Sequence, residues 1–184
     1  MIKRVFDIVF AFLCLMLLIP IILVFLIISS LNTSSNGVFT QKRVGQYGNL
    51  FTIYKLRTKH VKNNDISKIG IFIRKYKIDE WLQLINVLQG KMSLVGPRPD
   101  IIGYADKLKG EDKKILELKP GITGPASLKY YNEEKILALQ EDPIKYNDDF
   151  IYPDKVKINL SYYYSRSFAG DIKIIINTIF RTNY

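Results

Sequence analysis

From Val5 to Ile28 the chain is almost uninterruptedly apolar, and this run constrains the fold before any other feature does. As a straight helix it would reach roughly 36 Å at ~1.5 Å per residue, enough to cross the hydrocarbon core of a bilayer. The chain has 184 residues, so one membrane element plus one compact domain is the natural partition. Two details shape the membrane element. Pro20 lies inside the run, where it removes a backbone hydrogen bond and crowds the preceding turn, so a membrane kink is expected there. Lys3 and Arg4 precede the run and Lys42 and Arg43 are the first charges after it, so both ends prefer the cytosol. A helix that enters one leaflet, bends at Pro20 and returns satisfies both observations. An ordinary span tolerates a proline and stays open as the alternative. A cleaved signal peptide fits less well, because no A-x-A site follows the run and Pro20 splits it. Asp7 reads as a headgroup-level or first-turn residue with no need of a catalytic role.

The formal net charge is +10, and its placement says more than its size. Residues 38–99 carry 12 basic and 3 acidic side chains, whereas residues 100–184 carry 13 of each. A basic surface confined to 38–99 could meet nucleic acid, anionic lipid or a phosphorylated substrate. Cys14 is the only cysteine and lies in the apolar run, which rules out an intrachain disulfide or a thiolate metal cluster and fits a reduced, cytosol-facing domain. His60 is the only histidine, so Ser-His-Asp and zinc-site arrangements are not available in their usual forms. No P-loop and no G-x-G-x-x-G occurs, which disfavours nucleotide hydrolysis or dinucleotide redox on those scaffolds.

The polar stretch Asn32 to Gly37 is rich in turn formers and closes the membrane element, dividing the chain into 1–36, re-entrant helix and hinge, and 37–184, catalytic domain. Val38–Arg43 and Leu50–Arg57 read as strands of a small hairpin. Asp79–Gln89 has apolar residues at a helical period and ends at Gly90 as the expected C-cap. Glu111–Leu118 and Glu133–Gln140 read as short helices. Ile172, Ile175, Ile176 and Ile179 mark a stripe on a terminal helix, for which core contact is the commoner use and membrane-surface contact the other. The fold class is α+β, mainly helical, with amphipathic interfacial helices.

Three clusters carry chemistry. Arg74-Lys-Tyr-Lys-Ile-Asp79-Glu80 places two adjacent carboxylates at the start of a helix, where the macrodipole favours the ionised form by ~0.3–1 kcal/mol. An ionised Asp there can act as nucleophile or bind a hard cation, although acids in a first turn are usually only solvated dipole partners. Gly96-Pro97-Arg98-Pro99 lets Gly96 supply backbone freedom while the prolines pin Arg98, a good arrangement for a bidentate grip on phosphate or simply a turn. Lys55-Leu56-Arg57-Thr58 ends the second strand, with Lys55 and Arg57 alternating onto one face, as phosphate-facing cations or as charges that protect an exposed edge.

Taken in order, these clusters resemble the small monotopic phosphoglycosyl transferases of the bacterial sugar transferase family. The resemblance runs through the apolar N-terminus with Pro20, Phe39-Thr-Gln-Lys-Arg43, Lys55-Leu-Arg-Thr58, Asp79-Glu80 with Gln83-Leu-Ile-Asn-Val-Leu88, Met92-Ser-Leu-Val-Gly-Pro-Arg-Pro99, Lys119-Pro-Gly-Ile-Thr-Gly124 and Ser167-Phe-Ala-Gly-Asp171, nearly the whole chain. It implies a monotopic protein on the cytoplasmic face of a bacterial inner membrane that moves a sugar phosphate from a UDP-sugar to polyprenol phosphate with release of UMP, as a first membrane step that downstream glycosyltransferases could follow. By the same resemblance Asp79 is the nucleophile and Glu80 its partner, both meeting Mg²⁺. Lys55, Arg57, Thr58, Arg74, Gly96, Pro97, Arg98 and Pro99 become the substrate-binding set, with membrane lipids as partners and nucleic acid not among them. A membrane-tethered module that holds anionic lipid or nucleic acid without catalysis is the rival, and it makes no demand on Asp79. Two departures stand out. Lys77 occupies the position where many members have Ser, a good N-cap. Pro125 to Tyr131 replaces a familiar Trp-Ala-Gln-Val-Asn-Gly-Arg stretch, which leaves the sugar open.

Overall fold

The computed structural model describes residues 2–180, a mainly helical α+β chain. It divides into two compact units, Met1–Arg43 with Leu50–Met92, and Val44–Asn49 with Ser93–Tyr184. This grouping differs from a boundary drawn where the apolar run ends, because the apolar helix shares a core with the chain that follows it.

In the first unit, α1 (Ile2–Thr33) is one helix that continues through Pro20. Its most apolar 18-residue window has a mean hydropathy of 3.3, and only 11% of that window is buried. Helix is what such a sequence must form in lipid, where no water can satisfy an open backbone group. The buried residues Asp7, Ala11, Ile22, Ser29 and Thr33 mark its inner face, while Phe12, Leu13, Met16, Leu17 and Leu23 are exposed. The strands β1 (Val38–Val44) and β2 (Leu50–Leu56) pair, as expected, around a 3-10 turn at Gln46–Gly48. A short helix absent from the sequence expectations, α2 (Lys68–Lys75), follows, with the Ser67 hydroxyl accepting from the Gly70 amide at 3.0 Å. The expected helix from Asp79 is two pieces, a 3-10 segment Ile78–Leu82 and α3 (Gln83–Leu88). It ends as expected, with Gly90 at φ 79° donating to the Val87 carbonyl.

The core of this unit joins Ile22 of α1 to Leu56, Ile73, Ile78 and Leu82, walled by Leu18, Phe25, Trp81 and Ile85 among others. Each fully buried aliphatic side chain here contributes about 1.5–3 kcal/mol, so the membrane helix is part of the domain's stability as well as its anchor. Polar ties hold both ends of α1 to the same unit. The Arg4 guanidinium donates to the carbonyls of Val87 at 2.9 Å and Leu88 at 3.4 Å, closing the open C-terminal turn of α3. Towards the other end, the Ser29 hydroxyl donates to the Arg57 carbonyl, with the Gly37 carbonyl at 3.2 Å.

In the second unit, β3 (Ser93–Val95) pairs in parallel with β4 (Gly121–Thr123), Ser93 opposite Gly121 and Val95 opposite Thr123. The expected Glu111–Leu118 helix is a 3-10 helix, Gly110–Glu117. Short helices α4 (Pro125–Lys129), α5 (Glu133–Ala138) and α6 (Pro143–Tyr146) lead through a π turn, Asn147–Ile151, into α7 (Tyr152–Ser165). The chain then turns into α8 (Phe168–Phe180), and the buried Tyr162 hydroxyl donates to Asp171 at 2.6 Å to join the two helices. The isoleucine stripe on α8 does not form the core contact expected of it. Asp171, Ile174 and Asn177 are the buried face, while Ile172 and Ile175 are half-buried and Ile176 and Ile179 exposed. The buried face combines Ile174 with polar Asp171 and Asn177, and Thr178 pairs with the Thr123 hydroxyl at 2.7 Å.

Candidate active site

The first unit builds its site from one strand and one helix start. Asn86 is wholly buried in α3 and hydrogen-bonds the backbone of β2 on both sides. Its Nδ2 donates to the Thr52 carbonyl at 2.8 Å, and the Tyr54 amide donates to its Oδ1 at 3.2 Å. Those bonds set the register of β2 against the 3-10 segment, so Lys55, next along the strand, reaches Glu80. The Lys55 Nζ to Glu80 Oε1 distance is 2.8 Å, with both side chains largely withdrawn from solvent. Asp79 and Glu80 retain only 8% and 6% of their surface. The Asp79 Oδ1 atom is buried and has no hydrogen-bond partner. An orphaned carboxylate oxygen is costly to bury, by about 1–3 kcal/mol or more for a charged group, and such groups concentrate where an incoming ligand will complete them.

The chain enters this pair through Lys77, whose backbone is left-handed at φ 56°, ψ 23°. Its amide donates to the Arg74 carbonyl and its own carbonyl accepts from the Glu80 amide, both at 3.1 Å. No side chain caps the 3-10 segment. The reversal at Lys77 takes the place of a cap. Burial pushes the Asp79 carboxyl up to about 6; Glu80 pushes the same way, and Lys55, Lys77 and Arg74 oppose both. Desolvation therefore outweighs the helix-terminus effect expected from the sequence. At about 6 the carboxyl still favours its ionised form at pH 7, but with a narrow margin.

The other expected residues fall into distinct settings. Arg57 directs Nε to the Asn36 carbonyl at 3.3 Å and Nη2 to the Val38 carbonyl at 3.1 Å, and lies over the Phe39 ring, so these donors fasten the start of the hairpin. Thr58 presents its carbonyl to α2 at Gly70, where a Cβ would stand 2.7 Å from that oxygen. Arg74 is half-buried in the last turn of α2. Gly96, Pro97, Arg98 and Pro99 belong to the second unit. There the Gly96 amide donates to the Thr123 carbonyl and the Gly121 amide to the Pro97 carbonyl. Gly96 is required for space rather than for backbone freedom, because a Cβ on it would lie 2.3 Å from the Lys119 carbonyl. Arg98 is exposed between two buried prolines, a side chain standing on a fixed backbone.

Adjacent hard-oxygen donors, one of them orphaned, fit a divalent cation of the magnesium type. Among the described residues no group of three or more His, Cys, Asp or Glu forms a metal cage. Magnesium commonly takes one or two carboxylates and completes its shell with water and substrate phosphates.

A family model described as "Bacterial sugar transferase" matches residues 1–183. The chain belongs to the bacterial sugar transferase family. Membership of this enzyme family decides against the non-catalytic tether. Among its relatives is a Bacillus subtilis protein provisionally named for transfer of N-acetylgalactosaminyl 1-phosphate to undecaprenyl phosphate. It is 40% identical over 122 residues, covering 60% of this chain and 68% of that protein. The UDP-glucose:undecaprenyl-phosphate glucose-1-phosphate transferase of Escherichia coli is 30% identical, over 98% of this chain and 40% of its own length. The undecaprenyl-phosphate galactose phosphotransferase of Salmonella typhimurium is 33% identical, over 66% of this chain and 31% of its own. This sugar transferase chain thus spans less than half the length of the latter two.

Arg4, Ser29 and Asn86 support the site without having been candidates from sequence. Asn86 carried a legible signal, a polar residue on the apolar face of a helix. Arg4 and Ser29 carried none, since a basic flank and a serine near a helix end are ordinary.

Proposed function

We propose that this sugar transferase moves a sugar phosphate from a UDP-sugar to polyprenol phosphate, releasing UMP, through a covalent intermediate on Asp79. The observation that carries the reading is the buried Asp79 carboxylate with one oxygen orphaned, beside a Glu80 held by Lys55. An Asp whose neighbour is fastened and whose own oxygen is uncommitted is placed to attack. The Asp79 oxygen forms a bond to the β-phosphorus of the donor, the bond from that phosphorus to the bridging oxygen breaks, and UMP leaves with the electron pair. An oxygen of polyprenol phosphate then attacks the same phosphorus, and the bond to Asp79 breaks, restoring the carboxylate and yielding a polyprenyl diphosphosugar for downstream glycosyltransferases. Asp79 and Glu80 would hold Mg²⁺, which supplies neutralisation of phosphate charge when bound. Lys55 holds and orients Glu80, Arg74 adds positive field, and Arg98 grips a phosphate through its fork of donors. Covalent catalysis lets a soluble donor and a lipid acceptor use one nucleophile in turn.

The related proteins are named for glucose, galactose and N-acetylgalactosamine, and their names share undecaprenyl phosphate. That pattern supports the acceptor class and leaves the sugar to experiment. A monotopic placement on the cytoplasmic face of the inner membrane is supported by α1 itself. Arg4, Ile22 and Ser29, spread over most of its length, all engage the same unit, whereas a spanning helix would leave that unit behind at one end.

The test is intact-protein mass spectrometry after incubation with individual UDP-sugars and no acceptor. A phosphosugar adduct is expected on wild type and none on Asp79→Asn, with ping-pong kinetics once polyprenol phosphate is added. UMP release only in the presence of acceptor, with intersecting initial-rate lines, would mean direct attack by the lipid.

A further inference from the structure

Lys77 stands two residues before Asp79, and among the described residues no contact engages its ammonium. The side chain is exposed and forms no hydrogen bond or ion pair among the described residues. Its charge nevertheless acts on the Asp79 carboxylate, together with those of Lys55 and Arg74. Of the cations named around the dyad, Lys55 is committed to Glu80 and Arg57 to two backbone carbonyls. The backbone at Lys77 is left-handed, at φ 56°. A long side chain is held there at a cost in backbone strain, where Gly or Asn would sit more easily. The turn therefore does not call for lysine.

We propose that Lys77 is a donor-binding residue, whose ammonium meets the phosphate oxygens of an incoming diphosphate at the rim of the Asp79–Glu80 pair. The inference rests on the reading of Asp79 as nucleophile and deepens it. Two buried carboxylates repel a dianionic diphosphate, and one of the neighbouring cations is already spent on Glu80. An uncommitted cation on a long flexible stem can reach out to the phosphate and follow it inwards. Donor affinity then acquires a charge-dependent component that a neutral side chain at this position could not supply.

The experiment compares wild type with Lys77→Asn and Lys77→Arg as full-length protein in lipid nanodiscs. Asn tolerates the left-handed backbone and removes the charge; Arg retains it. Lys77→Asn should raise the KM for the UDP-sugar about tenfold, equivalent to ~1.4 kcal/mol, with kcat changed much less. Its log(kcat/KM) should also fall less steeply with ionic strength. Lys77→Arg should restore KM, and the thermal midpoint of Lys77→Asn should match or exceed wild type. An unchanged KM in Lys77→Asn, or an equal loss in Lys77→Arg, overturns the proposal. Calorimetric titration with magnesium pyrophosphate separates this from failure of the transfer reading. If no UDP-sugar is turned over, the function fails, while weaker pyrophosphate binding by Lys77→Asn than by wild type and Lys77→Arg still upholds Lys77, and equal binding by all three refutes it.

Discussion

Asp79 links protonation to stability as well as to catalysis. Its carboxyl is raised from an ordinary value near 4 to about 6 in the folded chain. Between those values the native state holds more protons than the unfolded state, so the contribution of this group to stability falls as pH rises through that window and stays lost above it. Asp79→Asn removes the penalty. In EDTA, so that no divalent cation compensates, the variant should unfold at a higher temperature than wild type at pH 8, by an amount equivalent to about 2–3 kcal/mol. The difference should vanish near pH 3.5. Equal midpoints at both pH values would show that the carboxylate is not desolvated. Arg98 gives a second expectation at this scale. Its exposed guanidinium on a backbone fixed by buried prolines should be needed for its fork, so Arg98→Lys should lower kcat/KM at least tenfold despite retaining the charge. Wild-type kinetics would make the Gly-Pro-Arg-Pro run purely structural. The residue types in this site were legible from the sequence, and so was the pairing of Asp79 with Glu80. The state of the Asp79 proton was not, because desolvation depends on what the fold packs around it, and a helix terminus alone predicts the opposite direction.

At the scale of elements, α3 is held by a residue from the far N-terminus. Arg4 donates to the Val87 and Leu88 carbonyls, with the Met92 carbonyl at 3.5 Å. Charge-based topology signals treat Arg4 and lysine alike. Hydrogen-bond geometry does not, since the guanidinium reaches the Val87 and Leu88 carbonyls from two separate terminal nitrogens and an ammonium has only one. Arg4→Lys should therefore lower stability by about 1–3 kcal/mol, read as a drop of several degrees in thermal midpoint in nanodiscs. Equal midpoints in Arg4→Lys and wild type would reduce Arg4 to a flanking charge. The elements recovered from sequence were those with a clean local period, a first-turn acid pair or a stop signal: α1, the hairpin, the Gly90 helix end, α5 and the terminal helix α8. The helix α7 went unrecognised because its tyrosines, lysines and asparagine show no apolar stripe at helical spacing, and it is held by contacts such as Tyr162 with Asp171. The parallel pair β3–β4 was equally hidden. Three-residue strands have no period to detect, and what joins them is the close backbone approach that Gly96, Gly121 and Gly124 permit.

For the whole molecule the expectation is topological. If α1 stays with one unit along its length, both of its ends lie on the cytosolic side. In a Cys14→Ala background, single cysteines at Ile2 and Asn36, both exposed, should resist an impermeant thiol reagent in intact spheroplasts and react after permeabilisation. Labelling of one position from outside would establish an ordinary span. Pro20→Leu should increase outside labelling of one end, because the restored hydrogen bond favours a straighter, more span-like helix.

The sequence by itself determined what depends on local chemistry and on composition. An apolar run of that length has to meet lipid, an excess of cations over residues 38–99 calls for an anionic partner, and adjacent acids between basic motifs define a family. Tertiary structure alone decided which charges remain available for a substrate. Lys55 is taken by Glu80, Arg57 by backbone carbonyls, and Lys77 is left over, although all three look alike in the chain. The physical reason is that a charged side chain acquires its role from whatever lies within about 4 Å of it, and those neighbours come from segments distant in sequence.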